Sequence, residues 1–220
     1  MRKIFIAVFL LLLSHQVMAQ IELKGVMGIN FFSIPSMQDY VNQTRLASSE
    51  NQIGSFVSAV IFAGEGGLFL SQSLELTLEV AYQIYSFSEV KPEGKDELSF
   101  NNTMPTLLGY YVLNGDGYNF KFGGGAGIRF VSVDETRNIS VEKINYSSIG
   151  YGAILRIEGN TLLGGSVYAN VGAEIRYDMN GEPENNGTTL YNNIVKENVN
   201  FNTFSVGVRL GITYIIGGDN

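Results

Sequence analysis

The sequence predicts an all-β fold, an eight-stranded antiparallel up-and-down transmembrane β-barrel, and three observations carry this prediction. Apolar and polar residues alternate at period two through much of the chain, which is typical of strands with two unlike faces. The connections between the predicted strands alternate between short and long. Charged residues avoid the apolar face, as they must if it contacts lipid, because a lysine or arginine at mid-membrane costs roughly 2–4 kcal/mol.

Residues 1–19 have the pattern of an export signal. A positively charged start precedes an apolar run at Ile4–Leu13 and a small-residue cleavage site at Val17–Ala19, so the exported chain is expected to begin at Gln20. A membrane anchor is the alternative, and an apolar run of this length is too short to span a bilayer. The predicted organisation is therefore a signal peptide followed by one barrel domain at 20–220, with no Pro-rich linker inside it.

The composition excludes several classes of chemistry. Without Arg2 and Lys3 the 14 basic residues become 12, against 21 acidic ones, so the exported chain carries a net charge of about −9. Nucleic acid is not an expected partner, because it binds basic surfaces. The chain has no cysteine, and its only histidine, His15, lies in the export signal. No disulfide, metal site or cofactor is predicted, and histidine-based catalysis is excluded.

Eight segments carry the strand pattern, and each is long enough to cross a bilayer at a tilt, which takes roughly nine to eleven residues. In LELTLEVAYQI, residues Leu74–Ile84, large apolar side chains share one face, and glutamate, threonine and glutamine lie on the other. The segment Thr103–Leu113 is apolar on both faces, so its orientation stays open. The predicted strands are Ile21–Phe31, Ser55–Leu70, Leu74–Ile84, Thr103–Leu113, Tyr118–Phe130, Ile149–Glu158, Leu163–Asp178 and Phe204–Ile216.

Short turns and long loops alternate along the chain, as in a membrane barrel with its turns on one rim and its loops on the other. The segments NGDG and EGN contain residues that favour hairpin turns. A short helix is predicted within SMQDYVNQTRLASSE, residues 36–50. The predicted turns are Ser71–Ser73, Asn114–Gly117 and Gly159–Thr161, and the predicted loops are Ser33–Gly54, Ser88–Asn102, Asp134–Ser148 and Met179–Thr203.

The polar face carries six acidic and six basic residues, which predicts a charge network inside the barrel. A narrow, closed interior cannot hold a large unpaired charge cheaply, so a balanced set indicates side chains that neutralise one another in a filled lumen. A catalytic pair of carboxylates at Glu75 and Glu79, which share a face, is the alternative. The predicted network consists of Glu22, Lys24, Glu65, Glu75, Glu79, Lys121, Arg129, Arg156, Glu158, Glu174, Arg176 and Arg209, and Asp178 is assigned to the edge of the last loop.

Glycines at 123, 124, 125 and 127 raise the alternative of a phosphate-binding loop. Such a loop lies between a strand and a helix whose N-terminus points its amides at the ligand. Here IRFVSV follows and continues the strand, so a nucleotide enzyme is not predicted. Gly123, Gly125 and Gly127 are instead expected to face inward and leave space for long side chains of neighbouring strands, because an eight-stranded interior is only just wide enough to be filled.

A soluble eight-stranded barrel of the lipocalin kind, with its apolar face inward around a ligand, would show the same alternation. Three features favour the membrane barrel: a polar face rich in glycine, serine and alanine, the alternating loop lengths, and aromatic residues near strand ends, where girdles meet the headgroups. The predicted girdle residues are Phe31, Phe32, Tyr85, Phe87, Tyr118, Tyr177 and Tyr214.

Across residues 20–220 the sequence resembles the PorT-like and OmpX-like outer-membrane β-barrel proteins of Gram-negative envelopes. The resemblance is carried by GLFLSQSLELTLEVAYQ (67–83), MPTLLGYYVLNGDGYNFKFGGGAGIRF (104–130) and the closing strand VGVRLGITYII (206–216). In that family a proline-led apolar strand, a short turn and a glycine-rich strand follow in this order. This chain ends in YIIGGDN, whereas outer-membrane strands often finish on an aromatic residue that the insertion machinery recognises.

The resemblance implies a protein of the cell outer membrane, exported through a cleaved signal peptide, with a structural or ligand-binding role. It is expected not to be an enzyme, because enzymatic membrane barrels rely on histidine. The expected partners are outer-membrane lipid and an envelope or extracellular protein that binds the loops at 33–54 and 179–203. The second loop has the composition of a disordered segment. A narrow porin-like channel and a periplasmic carrier of hydrophobic ligands are the alternatives, and eight strands leave little bore for a channel.

Overall fold

A computed structural model of the chain describes residues 20–44, 48, 50–92, 94–137 and 140–217, with only the backbone described at 140–142. The predicted export signal lies outside the described residues. Eight long strands form the barrel: β1 Ile21–Ser33, β2 Val57–Ser71, β3 Leu74–Lys91, β4 Gly94–Gly115, β5 Tyr118–Arg137, β6 Ser140–Gly164, β7 Val167–Met179 and β12 Thr203–Ile216. The remaining elements are the helix α1 Pro35–Gln43 and the short strands β8 Glu184–Asn185, β9 Thr188–Thr189, β10 Tyr191–Asn192 and β11 Glu197–Asn198.

The eight long strands close into an antiparallel ring. Each pairs with the next along the chain, and β1 pairs with both β2 and β12, so the sheet closes on itself. The predicted eight-stranded antiparallel up-and-down transmembrane barrel is confirmed. Among the described residues, no helix has both the length and the apolar character needed to cross a membrane.

The apolar face of the barrel points outward. On β3, Leu76 is 39% exposed and Leu78 is 57% exposed, whereas Thr77 and Glu79 are buried in the lumen. An outward apolar belt on an eight-stranded barrel is the surface that lipid covers. The interpretation as a soluble carrier is therefore wrong, since its apolar face would point inward.

The orientation that the sequence left open in the segment Thr103–Leu113 is decided by packing inside the barrel. The even-numbered residues of this part of β4 face the lumen, and the odd-numbered residues face outward. Leu108, Tyr110 and Val112 form an apolar cluster in the lumen with Phe69 of β2 and Ile154 of β6. One patch of the polar interior is thus apolar, which explains why this strand shows no clear alternation.

The predicted loops Ser88–Asn102 and Asp134–Ser148 are wrong, because both segments continue the strands around them. Pairing between β3 and β4 extends to Lys91 opposite Gly94, and pairing between β5 and β6 extends to Arg137 opposite Ser140. These four strands therefore rise beyond the apolar belt as two long hairpins.

The connections at the opposite rim are short. The predicted turns Ser71–Ser73 and Asn114–Gly117 are confirmed between β2 and β3 and between β4 and β5. The predicted turn Gly159–Thr161 is wrong, because β6 continues to Gly164. The chain reverses at Gly165 instead, whose φ of +54° lies in the left-handed region that glycine adopts without strain.

The predicted helix within residues 36–50 is confirmed as α1, which begins at Pro35, a favoured first residue because proline lacks the amide hydrogen that would have no partner there. Its apolar residues Met37, Tyr40 and Val41 share one face and are buried. The predicted disorder of the loop 179–203 is wrong. The loop contains the short strands β8–β11 and packs against the barrel through Leu190, Val199 and Phe201, each at most 2% exposed.

The predicted aromatic girdle is partly wrong. Phe31, Tyr118, Tyr177 and Tyr214 point outward and are exposed, as predicted. The other predicted members face the interior: Phe32 and Phe87 are buried, and Tyr85 packs against them. The three inward aromatic residues lie at the end of the belt, where the interior becomes apolar. Nearness to a strand end therefore does not distinguish girdle residues from core residues.

Candidate functional site

The structure places all twelve residues of the predicted lumen network inside the barrel, each at most 6% exposed. They come from seven of the eight strands, all but β4, and the two-residue period of each strand directs them inward. No cluster of histidine, cysteine or carboxylate side chains within the described part of the chain is suited to hold a metal ion.

Near the short-turn rim, two lysines bridge carboxylates from different strands. The Nζ of Lys121 on β5 lies 2.6 Å from an oxygen of Glu75 on β3 and also contacts Glu22 on β1. The Nζ of Lys24 lies 3.3 Å from the other oxygen of Glu22 and donates to Glu158 on β6. Glu22 is therefore shared by both lysines, and the four strands are linked through charged side chains.

In the middle of the lumen, two arginines share three carboxylates. Arg156 donates from Nη2 to Glu79 at 2.6 Å, from Nε to Glu174 at 3.0 Å and from Nη1 to Glu65 at 3.1 Å. Arg209 binds the same three carboxylates, with Nη1 2.7 Å from Glu79. Each charge thus meets several opposite charges, which offsets the large cost of removing it from water.

Towards the long-loop rim, the network ends in an ion pair that the sequence did not predict. Arg176 binds Glu174 at 2.9 Å, and Arg129 binds Asp178 and donates to the hydroxyl of Thr106 at 3.1 Å. The assignment of Asp178 to a loop edge is wrong, because it is 3% exposed and belongs to the lumen. The lumen therefore holds seven acidic residues against six basic ones.

The alternative of a catalytic carboxylate pair does not fit the geometry. Glu75 and Glu79 are at most 2% exposed, and both are held by cations, Glu75 by Lys121 and Glu79 by Arg156 and Arg209. Carboxylates that cleave a glycosidic bond must flank a substrate. Here cationic side chains occupy that position.

The inward glycines of β5 make room for β4. Only one of them leaves space for a long side chain, as predicted. A Cβ at Gly123 would overlap the ring of Tyr110, so this glycine admits a long side chain. At Gly125 and Gly127 a Cβ would overlap backbone carbonyl oxygens of β4. For these two positions the prediction is corrected: the space is used by the neighbouring backbone.

Below the charges, a neutral ladder of asparagines, which the sequence did not predict, closes the lumen. Asn160 donates to Asn119 at 2.7 Å, Asn170 donates to Asn160 at 2.8 Å, and Thr213 donates to Asn160 at 3.1 Å. All four side chains are at most 5% exposed. Their inward parity indicates that they face the lumen, but amides carry no charge, so a pattern of opposite charges does not reveal them.

Beyond the belt lies the part that we call the crown: the described residues of 32–59, 85–101, 131–148 and 179–203. Its interior is apolar, and Phe100 stacks on Phe201 with ring centroids 5.5 Å apart. This packed interior covers the long-loop end of the lumen. The buried residues of this crown core are Phe32, Ile34, Met37, Tyr40, Val41, Ala59, Phe87, Leu98, Phe100, Val131, Val133, Leu190, Val199 and Phe201.

A hydrogen-bonded triad fastens α1 to the top of β5. The hydroxyl of Tyr40 donates to Glu135 at 2.6 Å and accepts from Arg137 at 2.7 Å, and Arg137 also binds Glu135 at 2.9 Å. Burial and the adjacent carboxylate of Glu135 raise the pKa of Tyr40 well above its ordinary value. Tyr40 therefore stays protonated and keeps its donor role at neutral pH.

Three layers of buried side chains follow one another along the interior: the asparagine ladder, the ion network and the crown core.

Neither a family profile nor a curated protein matches the chain. Solved structures do resemble it. Ail of Yersinia pestis, in complex with the heparin analogue sucrose octasulfate, has a TM-score of 0.52 at 10% identity, over 90% of this chain and 99% of Ail.

Two further similar structures are outer-membrane proteins. OprG of Pseudomonas aeruginosa has a TM-score of 0.48 at 13% identity, over 90% of this chain and 95% of its own. The outer membrane protease OmpT of Escherichia coli has a TM-score of 0.45 at 12% identity, over 90% and 96%. At such identities the likeness concerns the fold alone, that of an outer-membrane β-barrel. The resemblance to the PorT-like and OmpX-like families stays a prediction.

Proposed function

We propose that this protein is a non-enzymatic barrel of the cell outer membrane, with a filled structural lumen and a crown that is displayed at the cell surface to bind a partner. The observation that carries the proposal is the layered interior, in which ion pairs and a packed apolar core occupy the positions that a pore or an active site would need. The belt, the export signal predicted at 1–19 and the likeness to Ail support the location.

The lumen network fits a structural role. Its charges are paired across strands and are shielded from water at both ends, by the asparagine ladder and by the crown core. A narrow channel is the competing function. Planar-bilayer recordings distinguish the two: the purified protein is expected to give no conductance steps, and regular steps would overturn the structural role of the lumen.

The crown fits a binding role. It includes the loops at 33–54 and 179–203, through which an envelope or extracellular protein partner is expected to bind, and both are packed. Among the described residues, the part of β3 beyond Ile84 pairs with β4 on one side and with no strand on the other. A strand with one unpaired edge offers backbone groups to a partner strand.

The location and orientation can be tested with single cysteines, because the chain has none of its own. Ile194→Cys places a thiol in the crown, and Gln72→Cys places a matched thiol in the turn between β2 and β3. In intact cells a membrane-impermeant maleimide should label the first and spare the second. Labelling of the second alone, or recovery of the protein outside the outer-membrane fraction, would overturn the proposal.

A further inference from the structure

A groove of about 450 Å³ lies in the crown next to the apolar belt. It is bounded by the first half of α1, by the segment 192–202 and by the upper ends of β7 and β12. The groove is open to solvent and lies outside the lumen, so it is independent of the ion network.

Two aromatic side chains form one wall of this groove. Tyr177 of β7 and Phe204 of β12 are directly paired across the two strands, and they are 51% and 41% exposed. Phe56 supports Phe204 from the side, edge to face, with ring centroids 6.5 Å apart. The two rings therefore present a partly exposed apolar surface, and Phe56 packs against one of them.

The groove is also lined by polar side chains that keep unpartnered atoms. The carbonyl oxygen of the Asn200 side chain accepts from the backbone amide of Asn202 at 3.3 Å, and that of Asn202 accepts from the amide of Gly181 at 3.2 Å. These bonds hold each side chain, while neither Nδ2 has a partner among the described residues. The carboxylates of Asp39 and Glu197 likewise have no hydrogen bond or ion pair within that part of the chain.

The groove therefore combines hydrogen-bond donors and acceptors with an aromatic surface, and its carboxylates give it a negative charge. Among the described residues, its lining contains the two carboxylates and no lysine or arginine. An anionic ligand would be repelled and would leave both carboxylates without a partner. A ligand with many hydroxyl groups and a flat apolar face satisfies the whole set.

We propose that this groove binds a sugar unit of a non-anionic glycan, either uncharged or amino-bearing. One ring face would pack on Tyr177 and Phe204, while hydroxyl or ammonium groups would donate to Asp39 and Glu197, and the side-chain amides of the asparagines would donate to ring or hydroxyl oxygens. The inference rests on the proposed display of the crown outside the cell. It predicts a preference opposite in charge to the polyanionic ligand in the Ail structure.

The first experiment compares three soluble probes on the full-length barrel in nanodiscs: the neutral trimer of N-acetylglucosamine, its amino-bearing deacetylated form, and sucrose octasulfate. Both non-anionic sugars should bind, the amino form more tightly, and the sulfated sugar should not. A monoglucosyl lipid in the nanodisc is a separate arm that distinguishes a membrane-borne glycan from a free one. Binding in either arm supports the proposal.

Matched variants locate the site. Tyr177→Ala should weaken binding of both non-anionic sugars by about tenfold, because a ring that packs on the ligand is lost. Tyr151→Ala removes another exposed outward tyrosine, 66% exposed on β6, and should leave binding unchanged. The double variant Asp39→Asn with Glu197→Gln should abolish the preference for the amino form. The double variant Asp116→Asn with Glu184→Gln removes the same charge elsewhere, and it should preserve the preference.

Four results would overturn the inference. Two concern the ligand: no binding of a non-anionic sugar in any arm, or equal or tighter binding of sucrose octasulfate. Two concern the site: equal losses of sugar affinity in Tyr177→Ala and Tyr151→Ala, or displacement of the sugar by trilysine at a lower concentration than by free sugar. The last would assign the groove to a basic peptide. If the cysteine at 194 is labelled on cells and no sugar binds, only the glycan inference fails. If that cysteine is inaccessible on intact cells, the proposed display itself fails.

Discussion

The interior of the barrel and the interior of the crown lie on the same strands and have opposite chemistry. On β3, Leu78 faces out and Glu79 faces the lumen, whereas further along Phe87 faces in and Ser88 faces out. Odd-numbered residues face inward throughout, and pairing with β4 continues without a register shift. The backbone is the same in the two regions, and only the distribution of polarity is reversed.

This reversal follows the medium outside each region. Beside lipid, outward residues must be apolar, so the inward positions hold the polar residues and ion pairs. Beside water, outward residues can be polar, and burial of the inward apolar residues stabilises the sheet. The lumen is therefore stabilised by paired charges, and loss of one partner should lower the free energy of unfolding. The crown is stabilised by packing, and loss of side-chain volume should lower it there.

The largest expected effect comes from breaking one ion pair in the lumen. Arg129→Met leaves the carboxylate of Asp178 buried without its partner, which should lower the free energy of unfolding by roughly 3–5 kcal/mol. The double variant Arg129→Met with Asp178→Asn should recover most of this loss. Urea titration of the protein refolded in detergent micelles measures both. A double variant as unstable as the single one would show that the pair is not an isolated unit.

The matching test in the crown removes volume. Phe100→Ala should destabilise the crown by roughly 3–5 kcal/mol, because Phe100 is fully buried and stacks on Phe201. Hydrogen exchange should rise in the crown and stay slow in the belt. Phe122→Ala, which removes a lipid-facing ring, is the control. Equal loss of protection in both regions would mean that crown and barrel unfold as one unit.

One substitution on each side of the boundary tests the reversal itself. Leu78→Arg places a charge in the lipid belt and should cost roughly 2–4 kcal/mol. Ser88→Arg places the same charge on the outward face of the same strand beyond the belt, and it should change stability by less than about 0.5 kcal/mol. Unfolding titrations of the two variants should therefore differ widely, and equal costs would mean that the belt ends elsewhere.

The smallest expected effect concerns the triad that holds α1. Tyr40→Phe should lower stability by about 1–2 kcal/mol, because its hydrogen bonds with Glu135 and Arg137 are lost. The folded-state pKa of Tyr40 is raised above its ordinary value of 10.0. Its contribution is thus fully present below about pH 10 and is lost as the pH rises towards the folded pKa. Alkaline unfolding of the wild type should show this loss, and Tyr40→Phe should show less of it.

Much of the barrel was predictable because lipid imposes a rule on single strands. The alternation around Leu78 and Glu79 identifies the two faces without knowledge of any neighbour. The twelve lumen residues follow from the same parity. Beyond the belt the rule no longer applies, so Phe87 was assigned to a girdle, the hairpin strands to loops, and the segment around Leu190 to disorder. Each of these depends on what lies across the interior.

The sequence by itself determined that the chain forms an antiparallel barrel, which parity faces lipid, and which charged residues enter the lumen, because these follow from local periodicity and from the cost of charge in hydrocarbon. Only the tertiary structure decided which charges meet. Arg129 binds Asp178, and Arg156 binds three carboxylates from three other strands, because the stagger of the closed barrel sets the height of each side chain. It also decided the crown, since its core is assembled from segments far apart in the chain.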